Sequence, residues 1–254
     1  MEIKLTGILS TGACELDTTP EYGTLIAPGL YAPNHEHYFS VRMDMRVDGD
    51  RNTVYEVDSV SPGPLGPGNP HGNAWKTVKT PITSEAMAGR DGSPVTGRSW
   101  LIASADKTTG LGAPTAYKLE PGAYTAPLWA DGSLQAQRGG FATKQLWVTA
   151  YDPTQRYAAG DYVAQNVSGD GVTRYAEAGR PLAGADVVLW YTAGAHHIVR
   201  PEDWPVMPVT SIGFHLKPFG FFDGNPILDL PAEIPACHSN GTASCECGGD
   251  CTCH

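Results

Sequence analysis

Between Phe39 and Asp48, apolar and polar residues alternate without a break: Phe39, Val41, Met43, Met45 and Val47 against Ser40, Arg42, Asp44, Arg46 and Asp48. A strand turns successive side chains to opposite faces, so this pattern specifies a half-buried β-strand and cannot lay one stripe along a helix. The opening residues repeat it, with Ile3 and Leu5 set against Glu2, Lys4 and Thr6. Segments 100–105, 146–150, 186–192 and 212–216 are further strand candidates. The turn-rich 48–52 leads into a strand at 53–60, so residues 37–60 read as a hairpin. Only 83–90 has helical character, with Ser84 as its cap. Gly (30) and Pro (21) make up about a fifth of the 254 residues, against about an eighth in average proteins. They concentrate in stretches such as SPGPLGPGNPHG at 61–72, which reads as a loop. The expectation is an all-β chain, a large antiparallel β-sandwich occupying residues 1–235.

Composition changes abruptly after Pro235. Residues 236–254 hold five of the six cysteines and almost no apolar bulk, which reads as a Cys-rich flexible tail. Cys245-x-Cys247, Cys251-x-Cys253-His254 and Cys237-His238 offer soft ligands for zinc or cuprous copper, and equally suit reduced or oxidatively paired thiols. Cys14 stands alone and needs only packing to explain it. The net charge of −10 argues against binding nucleic acid or anionic lipid. No run of about eighteen apolar residues could cross a membrane as a helix. The opening MEIKLTGILSTGA lacks the basic start and apolar core of a signal peptide, so the expected location is cytoplasmic.

Chemistry concentrates in histidines. In Asn34-His35-Glu36-His37, two imidazoles at i and i+2 share a face, as a strand would present them to one metal. Their parity continues through Phe39, Val41, Met43 and Met45, which places them on the apolar side, where buried imidazoles need partners. Alone, the pair is a weak signal, because ordinary loop histidines share it. A third imidazole from a distant strand would complete an all-nitrogen site suited to copper or zinc over calcium or magnesium. Ala195-His196-His197-Ile198 offers one, and spacing prefers neither His196 nor His197. His71 and His215 sit singly and read as surface or satisfied structural residues.

Longer blocks carry a family resemblance across residues 2–231. They include Lys4-Leu5-Thr6-Gly7-Ile8, Tyr31-Ala32-Pro33-Asn34-His35-Glu36-His37, Gly140-Phe141-Ala142-Thr143-Lys144 and Arg200-Pro201-Glu202-Asp203-Trp204-Pro205-Val206-Met207-Pro208. In these blocks and their order, the chain resembles the C-terminal part of the catalytic domain of copper-dependent, topaquinone-containing primary amine oxidases. The resemblance implies copper ligands at His35, His37 and His197, with His196 only a neighbour. Met207 matches a methionine close to the copper but not bound to it. A peripheral calcium-like site would use the carboxylates of Asp44 and Asp186 and the carbonyls of Met45 and Val187. Arg46 stands where many relatives have a further Asp, removing a donor and repelling the ion.

The family's quinone tyrosine lies in an Asn-Tyr-Asp/Glu motif, and an earlier Asp is its proton-abstracting base. Both precede the H-x-H pair by long stretches, whereas 34 residues precede His35 here and no Asn-Tyr dipeptide occurs. Tyr151-Asp152 follows Ala150 and belongs to another matched block. The resemblance therefore implies an N-terminally incomplete catalytic domain with no catalytic or quinone-forming residue of its own, inactive as an isolated chain. The complete enzyme would use copper and topaquinone to convert a primary amine, water and oxygen into aldehyde, ammonia and hydrogen peroxide, as a homodimer. The alternatives are a non-enzymatic copper-binding β-sandwich and an interaction module with vestigial histidines.

Overall fold

The computed structural model describes residues 1–162, 164 and 169–230; the cysteine-rich tail lies outside them. The chain separates into two units, Met1–Asp223 and Gly224–His254. Of the second, residues 224–230 are described. They hold a 3-10 turn at Pro226–Asp229, capped by the Asn225 side chain accepting from the Ile227 amide.

The first unit is built on strands. These are β1 (Glu2–Ile8), β2 (Gly12–Ala13), β3 (Gly23–Ala27), β4 (Leu30–Pro33), β5 (His35–Met45), β6 (Asn52–Val60) and β7 (Lys76–Pro81). After them come β8 (Ser99–Thr108), β9 (Pro114–Glu120), β10 (Leu146–Ala150), β11 (Val187–His197), β12 (Val206–Gly213) and β13 (His215–Phe219). Two short helices, α1 (Leu134–Arg138) and α2 (Val172–Ala176), lie among the later strands. A three-stranded sheet in the order β10-β11-β5 and a five-stranded sheet in the order β13-β9-β8-β6-β7 are both antiparallel.

One core joins them. Met45, Leu146, Val148, Val187, Leu189 and Tyr191 from the smaller sheet share a buried cluster with Val54, Trp100, Ile102 and Leu119 from the larger. Each such aliphatic or aromatic side chain contributes about 1.5–3 kcal/mol on burial. Together they make this interface the main source of stability. The fold is the expected antiparallel sandwich. The outer face of β10-β11 is covered in turn, where Val188 and Trp190 pack against Val172 of α2.

Three expectations need correction. Residues 37–60 do not form a hairpin. β5 pairs with β11, while β6 pairs with β7 and β8, so the intervening turn carries the chain from one sheet to the other. The Asn52 side chain closes that turn, accepting from the Val47 amide and donating to the Val47 and Gly49 carbonyls, with Asp48 and Gly49 at positive φ. The helix expected at 83–90 shrinks to a 3-10 turn at Glu85–Met87. Ser84 does cap it. Flanking backbone bonds from Glu85 to Arg180 and from Arg90 to Leu146 pull both ends away from a helical path. The strand expected at 212–216 is two strands that part at Phe214. Its amide donates to the Met1 carbonyl, and its own carbonyl accepts from the Met1 amine.

Two small sheets, β1-β12 and β2-β4-β3, frame one end of the three-stranded sheet. Leu9, Ala32 and Val199 pack together there, with Ile26 and Met207 against them.

Candidate metal centre

His35 and His37 open β5, and His196 and His197 close β11. The antiparallel register sets His197 directly across from His35, His196 across from Glu36 and Ala195 across from His37. Directly paired residues share a face, so His197 joins His35 and His37 while His196 turns to the other side. Register settles what spacing left open.

The entrance to this corner is pinned. Asn34 accepts from the Val199 amide at 3.2 Å through its Oδ1, and Thr24 donates to the Val199 carbonyl at 2.6 Å. The start of β5 and the exit of β11 are thereby tied across the site.

One nitrogen from each of His35, His37 and His197 lies within 4.8 Å of the others, the only such metal-ligating group among the described residues. His35 Nδ1 is 3.0 Å from the Pro33 carbonyl, which can only accept, so that nitrogen carries the proton. His197 Nε2 is 2.9 Å from the Asp203 carboxylate and carries its proton by the same logic. The remaining nitrogens, His35 Nε2 and His197 Nδ1, face each other at 3.1 Å. A proton or a metal ion between them would bridge that pair. The donor set therefore fits a borderline metal such as copper, with ligands oriented by a carbonyl and a carboxylate. Burial, and then the charges of His35 and His197, push the His37 imidazole below its usual range, favouring the neutral form that a metal requires.

Asp203 is nearly inaccessible. Burial opposes its ionisation, but hydrogen bonds from Arg200 and His197 outweigh that and hold the carboxyl at about 2. Arg200 grips it through Nε and Nη2 at 3.2 and 3.0 Å. The RPED turn at Pro201–Asp203 thus delivers an ionised acid to the third imidazole. The sequence reading missed this role. Its signal was the capping pattern, with Asp203 three residues after Arg200 and six after His197.

A cavity of about 80 Å³ adjoins the imidazoles, lined in part by His37, His197, Met207, Leu5 and Thr210 and by no tyrosine. Met207 lies beside the imidazoles. A larger cleft of about 840 Å³, lined by Asp91, Arg98, Lys118 and Glu120, includes none of the histidines. His71 and His215 are exposed. Tyr38, the tyrosine adjacent in sequence, points to the opposite face and bonds Glu36.

A sequence profile described as "Copper amine oxidase, enzyme domain" matches residues 1–236. The chain belongs to the copper amine oxidase family. It is 46% identical over 232 residues to the histamine oxidase of Arthrobacter globiformis, an alignment covering 91% of this chain and 34% of that protein. It is 41% identical to the primary amine oxidase of Arthrobacter sp. (strain P1), covering 96% of this chain and 37% of that one. Among solved structures it resembles a copper-containing benzylamine oxidase from Hansenula polymorpha. The TM-score is 0.83 and the identity 36%, with 91% of this chain and 37% of that one covered. The chain thus spans about a third of the length of the relatives it matches.

At the opposite end of β5, the register pairs Met45 with Val187, and Asp44 and Asp186 lie near that pair. Burial, Asp44 and Asp50 raise the Asp186 carboxyl, and Arg46 and Arg42 counteract them. Arg46 bonds Asp50 at 2.9 Å, and an Arg42 nitrogen lies 3.9 Å from Asp44.

Proposed function

We propose that this chain is the copper-binding part of a primary amine oxidase, holding the ion on His35, His37 and His197, and that it does not oxidise amines by itself. The observation that carries this reading is the convergence of one nitrogen from each of the three imidazoles within 4.8 Å, with His35 Nε2 and His197 Nδ1 3.1 Å apart. Copper would supply one-electron and oxygen chemistry at this corner. The chain's own work is to bring three imidazoles together, orient His35 through Pro33 and His197 through Asp203, and keep a small cavity beside them. The residues lining that cavity include no tyrosine. In the complete enzyme, a primary amine and oxygen would be the substrates.

A calcium-like ion at Asp44 and Asp186, with the Met45 and Val187 carbonyls, belongs to the same proposal. Arg46 and Arg42 already supply positive charge there, so its affinity should be low. Metal analysis of the purified chain tests both sites. About one copper per chain is expected. It should be lost in His197→Ala and retained in His196→Ala, and calcium uptake should become measurable only in Arg46→Asp. Equal loss of copper in the two histidine variants would refute the ligand assignment.

A further inference from the structure

The face of β5-β11 turned away from the imidazoles carries its own cluster. Tyr38 Oη donates to Glu36 Oε2 at 2.8 Å, and the other Glu36 oxygen accepts from the Leu128 amide at 3.3 Å. His196 Nε2 donates to the Ala126 carbonyl at 2.9 Å and lies 3.4 Å from the Tyr38 hydroxyl. The Tyr38 ring meets Trp129 edge to face at 5.5 Å. Three residues from the two strands thus fasten the loop around 124–129 onto the back of the sheet.

Register makes this arrangement selective. Tyr38 is paired with Gly194, and the ring lies across that glycine. A Cβ at Gly194 would come 2.6 Å from Tyr38 Cε1 and 3.1 Å from the Thr125 carbonyl. A one-residue slip would bring Ala193 or Ala195 opposite Tyr38, and either methyl would meet the same crowding. It would also turn His197 to the wrong face, because strand side chains alternate.

We propose that Glu36, Tyr38 and His196, seated against Gly194, are positioning residues for the metal centre. They lock the β5-β11 register from behind and so hold His197 across from His35. This inference rests on the copper reading above, yet part of its test is independent of copper. The variants are Tyr38→Phe, which keeps the ring and loses the hydroxyl, Glu36→Gln, and Gly194→Ala. In metal-free protein, amide hydrogen exchange across 192–197 should be faster in each variant than in the natural chain. With copper added, stoichiometry should stay near one. Affinity measured by chelator competition should fall by about tenfold, the lower end for lost ligand support. The electron paramagnetic resonance splitting should shift as well. A role confined to general stability would lower the melting temperature without changing that splitting. Unchanged exchange and unchanged affinity in Tyr38→Phe and Glu36→Gln would overturn the proposal, even if Gly194→Ala failed to fold. If the natural chain took up no copper, the functional reading would fall and the exchange rates would still decide the lock.

Discussion

Among individual residues, Asp203 carries the most unexpected burden. A carboxylate hydrogen-bonded to a ligating imidazole fixes its tautomer and raises its basicity, and losing such a partner costs about 10–100-fold in metal affinity. Asp203→Asn should therefore weaken copper binding by that range while leaving stoichiometry at one, as read by chelator competition. Full affinity in that variant would show that Arg200 and the backbone position His197 unaided. His37 gives a pH dependence. Its folded pKa is lowered, so as pH falls through the unfolded value near 6.5 the unfolded chain takes up a proton that the folded chain refuses. Stability from this group is therefore complete above that value and declines below it. Melting of metal-free protein between pH 7.5 and 5.5 should show the midpoint falling on acidification, and a flat profile would contradict it. The H-x-H pair and its face were legible from parity alone. His197 over His196 came from the family resemblance and has its physical reason in the cross-strand register, whereas Asp203 needed the turn that folds it back; neither is encoded in the spacing of one segment.

At the scale of elements, sequence pattern located β1, β5, β6, β8, β10 and β11 but not β9, whose Leu119 enters the core, and it failed where neighbours, not propensity, decide. β5 and β6 both alternate and are joined by a turn, which reads as a hairpin. Yet each strand finds its hydrogen bonds elsewhere, because both apolar faces meet in the core between the sheets. β7 escaped notice because all six of its residues are exposed. The sheet edges differ in a way that has consequences. The outer strands of the larger sheet carry Lys76, Lys79 and Pro81 in β7 and Lys217 and Pro218 in β13. Lysine and proline of this kind discourage edge-to-edge pairing. β10 is closed off by Arg90 at Leu146 and by Glu85 and Arg180 at Ala150. β5 has neither lysine nor proline along eleven residues, and among the described residues β11 is its sole strand partner. An open edge of that length favours association. We expect the purified chain to form dimers or mixed oligomers in light scattering, in line with the homodimer implied by the family resemblance. A stable, monodisperse monomer would argue that β5 is protected by means its sequence does not show.

The histidine corner lies within a chain that spans about a third of the length of the relatives it matches. The proposed copper ligands come from strands whose register, back-face packing and flanking turn all lie within residues 24–203, so the proposal predicts metal uptake by this chain without amine oxidation. The family couples copper to a quinone made from a tyrosine and to an aspartate base, and covalent catalysis without its electrophile loses the pathway instead of slowing along it. The cavity beside the imidazoles is lined by no tyrosine, and Tyr38 is turned to the far face with its hydroxyl committed to Glu36. Burial, followed by the hydrogen bond to Glu36, holds that phenol strongly in its protonated form, opposite to what oxidation of a phenolate needs. The copper-loaded chain should accordingly release no hydrogen peroxide with methylamine, benzylamine or histamine, and phenylhydrazine should label no tyrosine-derived carbonyl in its peptides. Peroxide release that depends on both copper and amine would mean that a tyrosine of this chain reaches the metal in some arrangement other than the one described.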